Sequence, residues 1–251
     1  MYKLGLIGSP LSHSYSKEYF DSKFKQTNQD KFRYALYELK NIQDINNLIN
    51  HEKLIGFNVT RPYKQSIIDY LNSIDEAASI TNAVNTVFIN PKTKIKFGFN
   101  TDIIGFQKTM EKIKIHHTKK KALILGSGSV SGTIEYVLKK NEFVYKIVSR
   151  SPKENMLGYQ ELKKYIQDYK LLINTTPLGQ YPYINFSPDI PYQLLSSEHY
   201  CIDLIYNPKK TIFLKKAERQ NSKTINGLDM LISQAEAAWE IWLKMIEVHN
   251  V

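Results

Sequence analysis

The chain has 251 residues, a net charge of +10 at pH 7 and one cysteine, Cys201. This length is enough for one large domain or two small ones with a sizeable core. A single cysteine excludes an internal disulfide and favours a reducing cytoplasm. No apolar run reaches the roughly 18 residues of a membrane helix, so no membrane partner is predicted. The N-terminus begins directly with a strand-like run, without the long apolar region of a signal peptide.

The excess of basic residues raises the hypothesis of a nucleic-acid partner. The only compact basic run, Lys119-Lys120-Lys121, directly precedes an apolar strand, and no basic stripe interleaved with aromatic residues is present. We therefore predict lysines scattered over solvated helix faces and no nucleic acid. The adjacent His116 and His117 have no carboxylate or cysteine at a supporting spacing, so no metal site is predicted.

Strand-like and helix-like segments alternate along the first hundred residues. The segments whose apolar runs predict strands are 2–7, 32–39 and 54–60. The segments with helical spacing are 17–24, 42–49 and 62–71. A further strand, 83–89, is followed by a turn at 90–93 and a hairpin partner at 95–99. This alternation predicts an α/β layer with a mostly parallel sheet.

The stretch from Asn58 to Lys64 joins the third strand to the next predicted helix. Pro62 cannot continue a central strand but suits the first position of a helix, so we predict that a helix begins near Pro62. Lys64 would then lie in its first turn, where the positive end of the helix disfavours an ammonium. A lysine in such a place suits proton transfer.

Two further polar positions flank predicted helices. Ser14 and Ser16 precede the helix at 17–24, where either hydroxyl suits a helix cap and the group as a whole suits a carboxylate-binding corner. We give His13 a local structural role and no catalytic one. Asp102 precedes a helix predicted for 103–113, and its simplest role is that of the N-cap.

The second half of the chain opens with a buried strand, 121–125, followed by Gly126-Ser127-Gly128-Ser129-Val130 and a helix. Glycines between a strand and a helix permit close approach of the backbone to a diphosphate. The next strand, 143–148, ends in Ser149-Arg150-Ser151. An NAD site would carry an acidic residue there, whereas a cation with hydroxyls suits a 2′-phosphate, so NADP is predicted.

Strands are also predicted for 170–174 and 201–206, with a helix over 211–220. The simplest interpretation of Cys201 is a small buried apolar residue. A nucleophilic pair with His199 is conceivable, but no third orienting group is evident in the sequence.

The last helix carries a core-facing stripe at three- and four-residue spacing. The stripe consists of Leu231, Ala235, Ala238, Trp242 and Ile246. Gln234 lies at the edge of this stripe, where it is either a residue of the surface rim or a partner for a buried polar ligand.

These segments together resemble the shikimate dehydrogenase family, and the resemblance covers nearly the whole chain. The matching motifs, in chain order, are the serine pair Ser14 and Ser16, Asn58 through Lys64, Ala83 through Thr86, Asn100 through Asp102, Asn174 through Thr176, Tyr206, and Gly227 through Leu231 with Gln234.

The resemblance implies reduction of 3-dehydroshikimate to shikimate with NADPH. It implies that Ser14, Ser16 and Tyr206 hold the substrate carboxylate, and that Lys64 exchanges the proton with Asp102 positioning it. The residues implied to bond the hydroxyls and ketone are Thr60, Asn85, Asp102 and Gln234. The implied cofactor residues are Gly126, Ser127, Gly128, Ser129, Val130, Ser149, Arg150, Ser151, Thr175 and Gly227.

The resemblance also implies a two-domain α/β fold. A substrate-binding and catalytic domain would span 1–101 and a Rossmann-like NADP-binding domain 102–226. The C-terminal helix, 227–251, would pack back on the substrate domain. A monomer or a homodimer is expected.

Three departures from the family pattern stand out. Ser129-Val130 replaces the usual Gly-Ala, Ser149-Arg150-Ser151 replaces Asn-Arg-Thr, and Ile103 replaces a glycine. The alternatives are a quinate/shikimate dehydrogenase with relaxed cofactor use and, because of the altered glycine loop, a non-catalytic ligand-binding homologue.

Overall fold

A computed structural model describes residues 1–11 and 14–251, so Ser12 and the role given to His13 lie outside the described residues. The chain forms two compact units, which we call unit 1 (Met1–Thr101 with Ala235–Val251) and unit 2 (Asp102–Gln234). Each unit contains one six-stranded sheet with helices. The predicted two-domain α/β fold class is confirmed.

Unit 1 is built on a mixed sheet. Its strands are β1 (Tyr2–Gly8), β2 (Phe32–Glu38), β3 (Leu54–Val59), β4 (Ser73–Ile74), β5 (Thr86–Ile89) and β6 (Lys96–Phe99). Its first helices are α1 (Ser16–Gln26), α2 (Ile45–Glu52) and α3 (Glu76–Thr81). The strand order is β2-β1-β3-β5-β6-β4, with β1 parallel to both neighbours and β5 antiparallel to β3 and β6. The predicted hairpin is therefore confirmed.

The prediction that a helix begins near Pro62 is wrong. A turn follows β3, and the next element is a short 3-10 helix, Ser66–Tyr70. The reason lies in the Lys64 carbonyl, which accepts a hydrogen bond from the Val84 amide at 2.8 Å. Because that oxygen is occupied from elsewhere in the unit, it does not start the i to i+4 pattern of an α-helix. The helix-dipole argument for Lys64 therefore does not apply.

An aromatic core holds unit 1 together. The Phe20 ring stacks on Tyr34 at a centroid distance of 4.4 Å and lies 5.7 Å from Trp242. The Trp242 Nε1–H donates to the Val87 carbonyl at 2.9 Å. A Cβ on Gly56 would approach Trp242 Nε1 to 2.5 Å, so glycine permits this close packing on β3.

Unit 2 is built on an all-parallel sheet with the order β12-β11-β10-β7-β8-β9. Its strands are β7 (Lys121–Leu125), β8 (Val144–Ser149), β9 (Leu157–Gly158), β10 (Leu171–Asn174), β11 (Tyr200–Asp203) and β12 (Lys223–Ile225). Its helices are α4 (Asp102–Met110), α5 (Ser131–Lys140), α6 (Leu162–Tyr165) and α7 (Ile212–Glu218).

The last helix, α8, spans Leu228–Val248. Of its predicted stripe, Ala235, Ala238 and Trp242 are buried in the core of unit 1, while Leu231 and Ile246 are half-buried. The predicted packing of the C-terminal helix on the N-terminal domain is confirmed. No helix in residues 1–11 and 14–251 is long and apolar enough to cross a membrane.

Candidate active site

The predicted substrate residues of unit 1 lie at one edge of its sheet. Ile7 pairs with Val59, Asn58 with Thr86, and Thr86 with Phe99. Because β5 is antiparallel to its neighbours, its start lies beside the ends of β3 and β6, and the end of β1 lies there too. The turn with Thr60 and Lys64, the Asn85 position and the segment after β1 therefore share this edge.

Asn85 is held by a buried polar network. Its side-chain Oδ1 accepts from the Thr101 amide at 2.7 Å, from Thr101 Oγ1 at 3.1 Å and from Thr86 Oγ1 at 3.2 Å. These donors assign the amide orientation. The side-chain oxygen of Asn85 is therefore occupied by donors from Thr101 and Thr86, which fix the side chain in place.

Asn58 links β3 to β5 in the same network. Its Nδ2 donates to the Asn85 carbonyl at 3.2 Å and to Thr86 Oγ1 at 3.1 Å. Its Oδ1 accepts from the Tyr34 hydroxyl at 2.8 Å. All four residues are buried. Sequence reasoning gave no role to Tyr34, because a tyrosine in an apolar strand carries no signal of a polar partner 24 positions away.

Thr60 and Lys64 lie in the turn after β3, and both are half-buried. The Thr60 amide donates to the Ile7 carbonyl at 2.8 Å, which continues the contact between the ends of β3 and β1. A Cβ on Gly8 would lie 2.4 Å from Thr60 Cγ2, so the glycine gives Thr60 its place against β1.

Ser14 and Ser16 lie where β1 passes into α1. The Ser14 Oγ accepts from the Ser16 amide at 3.3 Å. The position before α1 is Tyr15, which makes no side-chain cap, so neither serine is the N-cap residue. Ser14 nevertheless satisfies one of the unpaired amides at the helix start. Both serines are half-buried, as a carboxylate-binding corner requires.

Asp102 and Gln234 come from two helices that pack closely in unit 2. A Cβ on Gly105 would approach the Met230 carbonyl to 2.5 Å and Gln234 Cβ to 3.1 Å. Asp102 lies three residues before Gly105, on the same face of α4. Asp102 is the first residue of α4 and is buried there, where the positive helix end favours a carboxylate. Sequence reasoning missed Gly105, since a glycine inside a helix does not reveal its neighbour.

The carboxyl edge of the unit 2 sheet carries the predicted cofactor residues. A Cβ on Gly126, whose φ is +116°, would lie 2.7 Å from Thr175 Oγ1, while a Cβ on Gly128 would meet nothing within 4 Å. The amides of Ser127 through Val130 donate no hydrogen bond within residues 1–11 and 14–251. The open space at Gly128 and the amides without an acceptor before α5 together fit a diphosphate.

The segment after β8 joins the glycine loop. The hydroxyls of Ser149 and Ser127 lie 3.3 Å apart, and Ser149 Oγ accepts from the Ser151 amide at 3.2 Å. Arg150 is exposed. Its positive charge opposes the burial that raises the pKa of Tyr159. A cation and two hydroxyls beside the loop fit a phosphorylated ribose.

Asp203 braces the end of β11. Its carboxyl group is fully buried and accepts from Thr211 Oγ1 at 2.6 Å, from Asn174 Nδ2 at 3.1 Å and from the Ile205 amide at 3.1 Å. Burial raises its pKa to about 6, although these three donors favour the ionised form. Sequence reasoning assigned no role to this residue.

Asp203 holds the start of the loop that carries Tyr206. Tyr206 lies beyond β11 rather than inside the predicted strand, and it is half-buried. The Gly227 amide donates to the Ile205 carbonyl at 3.1 Å, and a Cβ on Gly227 would lie 2.0 Å from the Leu204 carbonyl oxygen. Gly227 therefore has a packing reason to be glycine.

His199 and Cys201 do not form a nucleophilic pair. The His199 Nδ1 accepts from the Ser196 amide at 3.0 Å, which leaves Nε2 as the donor to the Ile166 carbonyl, also at 3.0 Å. Cys201 is fully buried, and burial raises the pKa of its thiol. The prediction that Cys201 is a small buried apolar group is confirmed.

A family model described as the shikimate dehydrogenase substrate binding domain matches residues 6–87. The shikimate dehydrogenase (NADP(+)) of Methanococcus vannielii is 36% identical over 262 aligned positions, which cover 95% of this chain and 90% of that protein. The chain belongs to the shikimate dehydrogenase family. The predicted family resemblance is confirmed.

Solved structures of this family share the fold. A crystal structure of a shikimate dehydrogenase in complex with NADP+ has a TM-score of 0.84 and 31% identity, and covers 96% of this chain and 90% of its own. The Thermus thermophilus enzyme in complex with NADP(H) and shikimate has a TM-score of 0.83 and 25% identity, with 96% and 93% coverage. Both alignments span unit 1 and unit 2.

Proposed function

We propose that the chain catalyses the NADP-dependent interconversion of 3-dehydroshikimate and shikimate, an oxidoreductase step in the biosynthesis of chorismate and the aromatic amino acids. The observation that carries the proposal is that one chain contains both the buried polar network around Asn85 in unit 1 and the loop from Gly126 to Val130 in unit 2. A relative with 36% identity is named shikimate dehydrogenase (NADP(+)), which supports the same reaction.

Unit 1 is the substrate-binding and catalytic domain in this proposal, completed by α8, and unit 2 is the NADP-binding domain. Ser14, Ser16 and Tyr206 hold the substrate carboxylate with hydroxyl donors. Asn85 donates from Nδ2 to a ring oxygen, since its Oδ1 is occupied by Thr101 and Thr86. The remaining residues that bond the hydroxyls and ketone are Thr60, Asp102 and Gln234.

Lys64 is the proton carrier. Reduction of a ketone builds negative charge on its oxygen, and an ammonium beside that oxygen stabilises the charge and then donates a proton. Asp102 orients this lysine and the neighbouring hydroxyl. In the oxidative direction, the neutral amine accepts the proton of the shikimate hydroxyl. The bound cofactor supplies the hydride.

The residues present fit NADP. Gly128 leaves space that a Cβ would fill, and the amides of Ser127 through Val130, which donate no hydrogen bond within the described residues, are suited to an anion. Ser127, Ser129, Thr175 and Gly227 complete the predicted contacts. Arg150, with the hydroxyls of Ser149 and Ser151, binds the 2′-phosphate and so favours NADP over NAD. The half-buried Ser129 and Val130 leave this space open, which supports catalysis over a cofactor-free binding role.

We also propose that the protein acts in the cytoplasm, where its one buried thiol stays reduced, as a monomer or a homodimer. The deciding experiment for the function is an assay of shikimate and quinate, each with NADP+ and NAD+, followed by the near-ultraviolet absorbance of reduced nicotinamide. We expect the highest kcat/KM with shikimate and NADP+. Equal rates with quinate would favour the broader quinate/shikimate activity. Shikimate binding without turnover would favour a binding protein. A protein that neither binds shikimate nor turns it over would overturn the proposal.

A further inference from the structure

The last residues of three neighbouring strands lie side by side at the carboxyl edge of the unit 2 sheet. Leu125 ends β7, Asn174 ends β10 and Asp203 ends β11, and Asn174 is paired with both of the others. The glycine loop, Gly126 to Val130, directly follows Leu125. The middle residue, Asn174, is fully buried although it is polar. A buried amide needs partners for its oxygen and for its two protons.

Four hydrogen bonds satisfy the Asn174 side chain. Its Oδ1 accepts from the Thr176 hydroxyl at 2.6 Å and from the Thr176 amide at 3.0 Å. Its Nδ2 donates to the Leu178 carbonyl at 3.2 Å and to Asp203 Oδ1 at 3.1 Å. The Thr176 amide assigns the orientation of the side chain, because a backbone N–H can only donate. Asn174 thus holds the loop 174–178 around its own side chain and ties that loop to β11.

The loop 174–178 holds Thr175 against the glycine loop. The Thr175 hydroxyl and amide both donate to the Leu125 carbonyl, at 2.9 and 3.0 Å. A Cβ on Gly126 would lie 2.7 Å from Thr175 Oγ1, so the two loops are in close contact at this point. A shift of the loop 174–178 would therefore displace the first residue of the glycine loop.

We propose that Asn174 is a positioning residue for the cofactor: through Thr176 it fixes the loop that carries Thr175, and through Asp203 it ties this loop to β11. The inference rests on the proposed NADP contacts of the glycine loop and Thr175. Asn174 uses both lone pairs of its oxygen and both protons of its nitrogen inside unit 2, so it acts on the cofactor only through the loop.

The loop that carries Tyr206 has anchors of its own. Asp203 also accepts from the Thr211 hydroxyl at 2.6 Å and from the Ile205 amide at 3.1 Å. Neither bond involves Asn174. A substitution at Asn174 should therefore weaken cofactor binding and spare shikimate binding, a split that a general loss of structure would not give.

The test is Asn174→Asp, which keeps the size of the side chain and the acceptor for Thr176 but replaces the donor Nδ2 by an oxygen. A carboxyl group then faces Asp203, and a hydrogen bond between the two requires one shared proton. At about pH 5.5 this proton restores the bond, and the Kd for NADP+ should lie within about threefold of wild type. At about pH 8.5 the proton is lost, and that Kd should be at least about tenfold above wild type. The ratio to wild type at each pH cancels the titration of the cofactor phosphate.

Asn141→Asp is the matched control. The Asn141 Nδ2 also donates two bonds within unit 2, to Gln107 Oε1 and to the Val137 carbonyl, each at 2.8 Å. Asn141 caps the end of α5 that lies away from the glycine loop, so this variant should leave the Kd for NADP+ unchanged at both pH values. Burial raises the pKa of Cys201 and of Tyr192, and the Asp203 charge adds to both effects, so neither group titrates between about pH 5.5 and 8.5.

Calorimetric titration of NADP+ and of shikimate measures both affinities on the folded proteins. The Kd for shikimate should stay within about twofold of wild type in Asn174→Asp. A ratio of NADP+ affinities that does not change with pH would overturn the inference, as would an equal loss of both affinities. In either case NADP+ binding by wild type would leave the proposed function intact. A wild-type protein that does not bind NADP+ overturns both proposals.

A second variant, Thr176→Val, covers an Asn174→Asp protein that does not fold. It removes the hydroxyl that donates to Asn174 Oδ1 and leaves the bond from Asn174 to Asp203 in place. The Kd for NADP+ should rise about three- to tenfold, the size of one modest hydrogen bond, while the Kd for shikimate stays unchanged. An unchanged Kd for NADP+ in Thr176→Val contradicts the inference.

Discussion

The Thr211 hydroxyl donates to the buried Asp203 carboxyl group at 2.6 Å and so ties the start of α7 to the end of β11. The same carboxyl group accepts a hydrogen bond from the side chain of Asn174 at the end of β10. Two neighbouring strand ends and one helix start are thus fixed by a single titratable group. The loops that carry Thr175 and Tyr206 both leave from this point.

The first prediction concerns this carboxyl group. Its pKa of about 6 in the folded protein is raised by burial above the value of an unfolded chain, so the native state binds a proton more readily than the unfolded state. Stability contributed by the neutral form is therefore present at low pH and is lost as the pH rises through about 4 to 6. The loss amounts to roughly 2–3 kcal/mol. Asp203→Asn should lack this dependence.

Urea unfolding of wild type and Asp203→Asn at several pH values checks this, since other carboxylates contribute equally to both proteins. The difference in unfolding free energy should move in favour of Asp203→Asn as the pH rises. A constant difference across the range would show that Asp203 titrates alike in both states.

The pH dependence of stability that His199 contributes has the opposite sign to that of Asp203. Burial lowers its pKa, and the neutral ring is held between the Ser196 amide and the Ile166 carbonyl. A depressed histidine pKa means that the unfolded chain takes up the proton first, so stability is complete above the unfolded pKa of about 6.5 and falls below it. Unfolding free energy should drop more steeply between about pH 7 and 5 in wild type than in His199→Gln. Parallel curves would refute this role.

Gly128→Ala probes the cofactor loop without disturbing the fold. A Cβ at this position meets nothing within 4 Å, so the urea midpoint should match that of wild type. The added methyl group fills the space proposed for the diphosphate, and the Kd for NADP+ should rise about tenfold or more. Shikimate affinity should not change. Gly126→Ala is the contrasting control, because its φ of +116° and the nearby Thr175 make any side chain destabilising. Equal NADP+ affinity in wild type and Gly128→Ala would place the diphosphate elsewhere.

Apolar periodicity was enough to predict the sheet-forming segments of both units, because buried parallel strands are nearly continuous runs of large aliphatic residues. It did not predict β4, β9 and β12, whose two or three residues are too few to show a period. It also placed a helix after Pro62. That prediction failed because the bond from Val84 to the Lys64 carbonyl is a tertiary contact, which local sequence does not contain.

The candidate site shows the same division. Ser14, Ser16 and Lys64 could be named from ordered motifs, since their residue types carry the chemistry. The buried polar network beside them could not be predicted. The Tyr34 hydroxyl donates to Asn58, which lies on a non-adjacent strand, and such partners become visible only when the strand order is known.

Lys64 is the centre of the account, because the proposed reaction requires a proton carrier at the substrate oxygen. The most direct measurement is turnover of shikimate with NADP+ by Lys64→Ala, beside calorimetric titration of shikimate into the same variant. Turnover should be abolished, while the Kd for shikimate stays within about tenfold of wild type, or roughly 1.4 kcal/mol. A Lys64→Ala enzyme that retains the full rate would contradict the account.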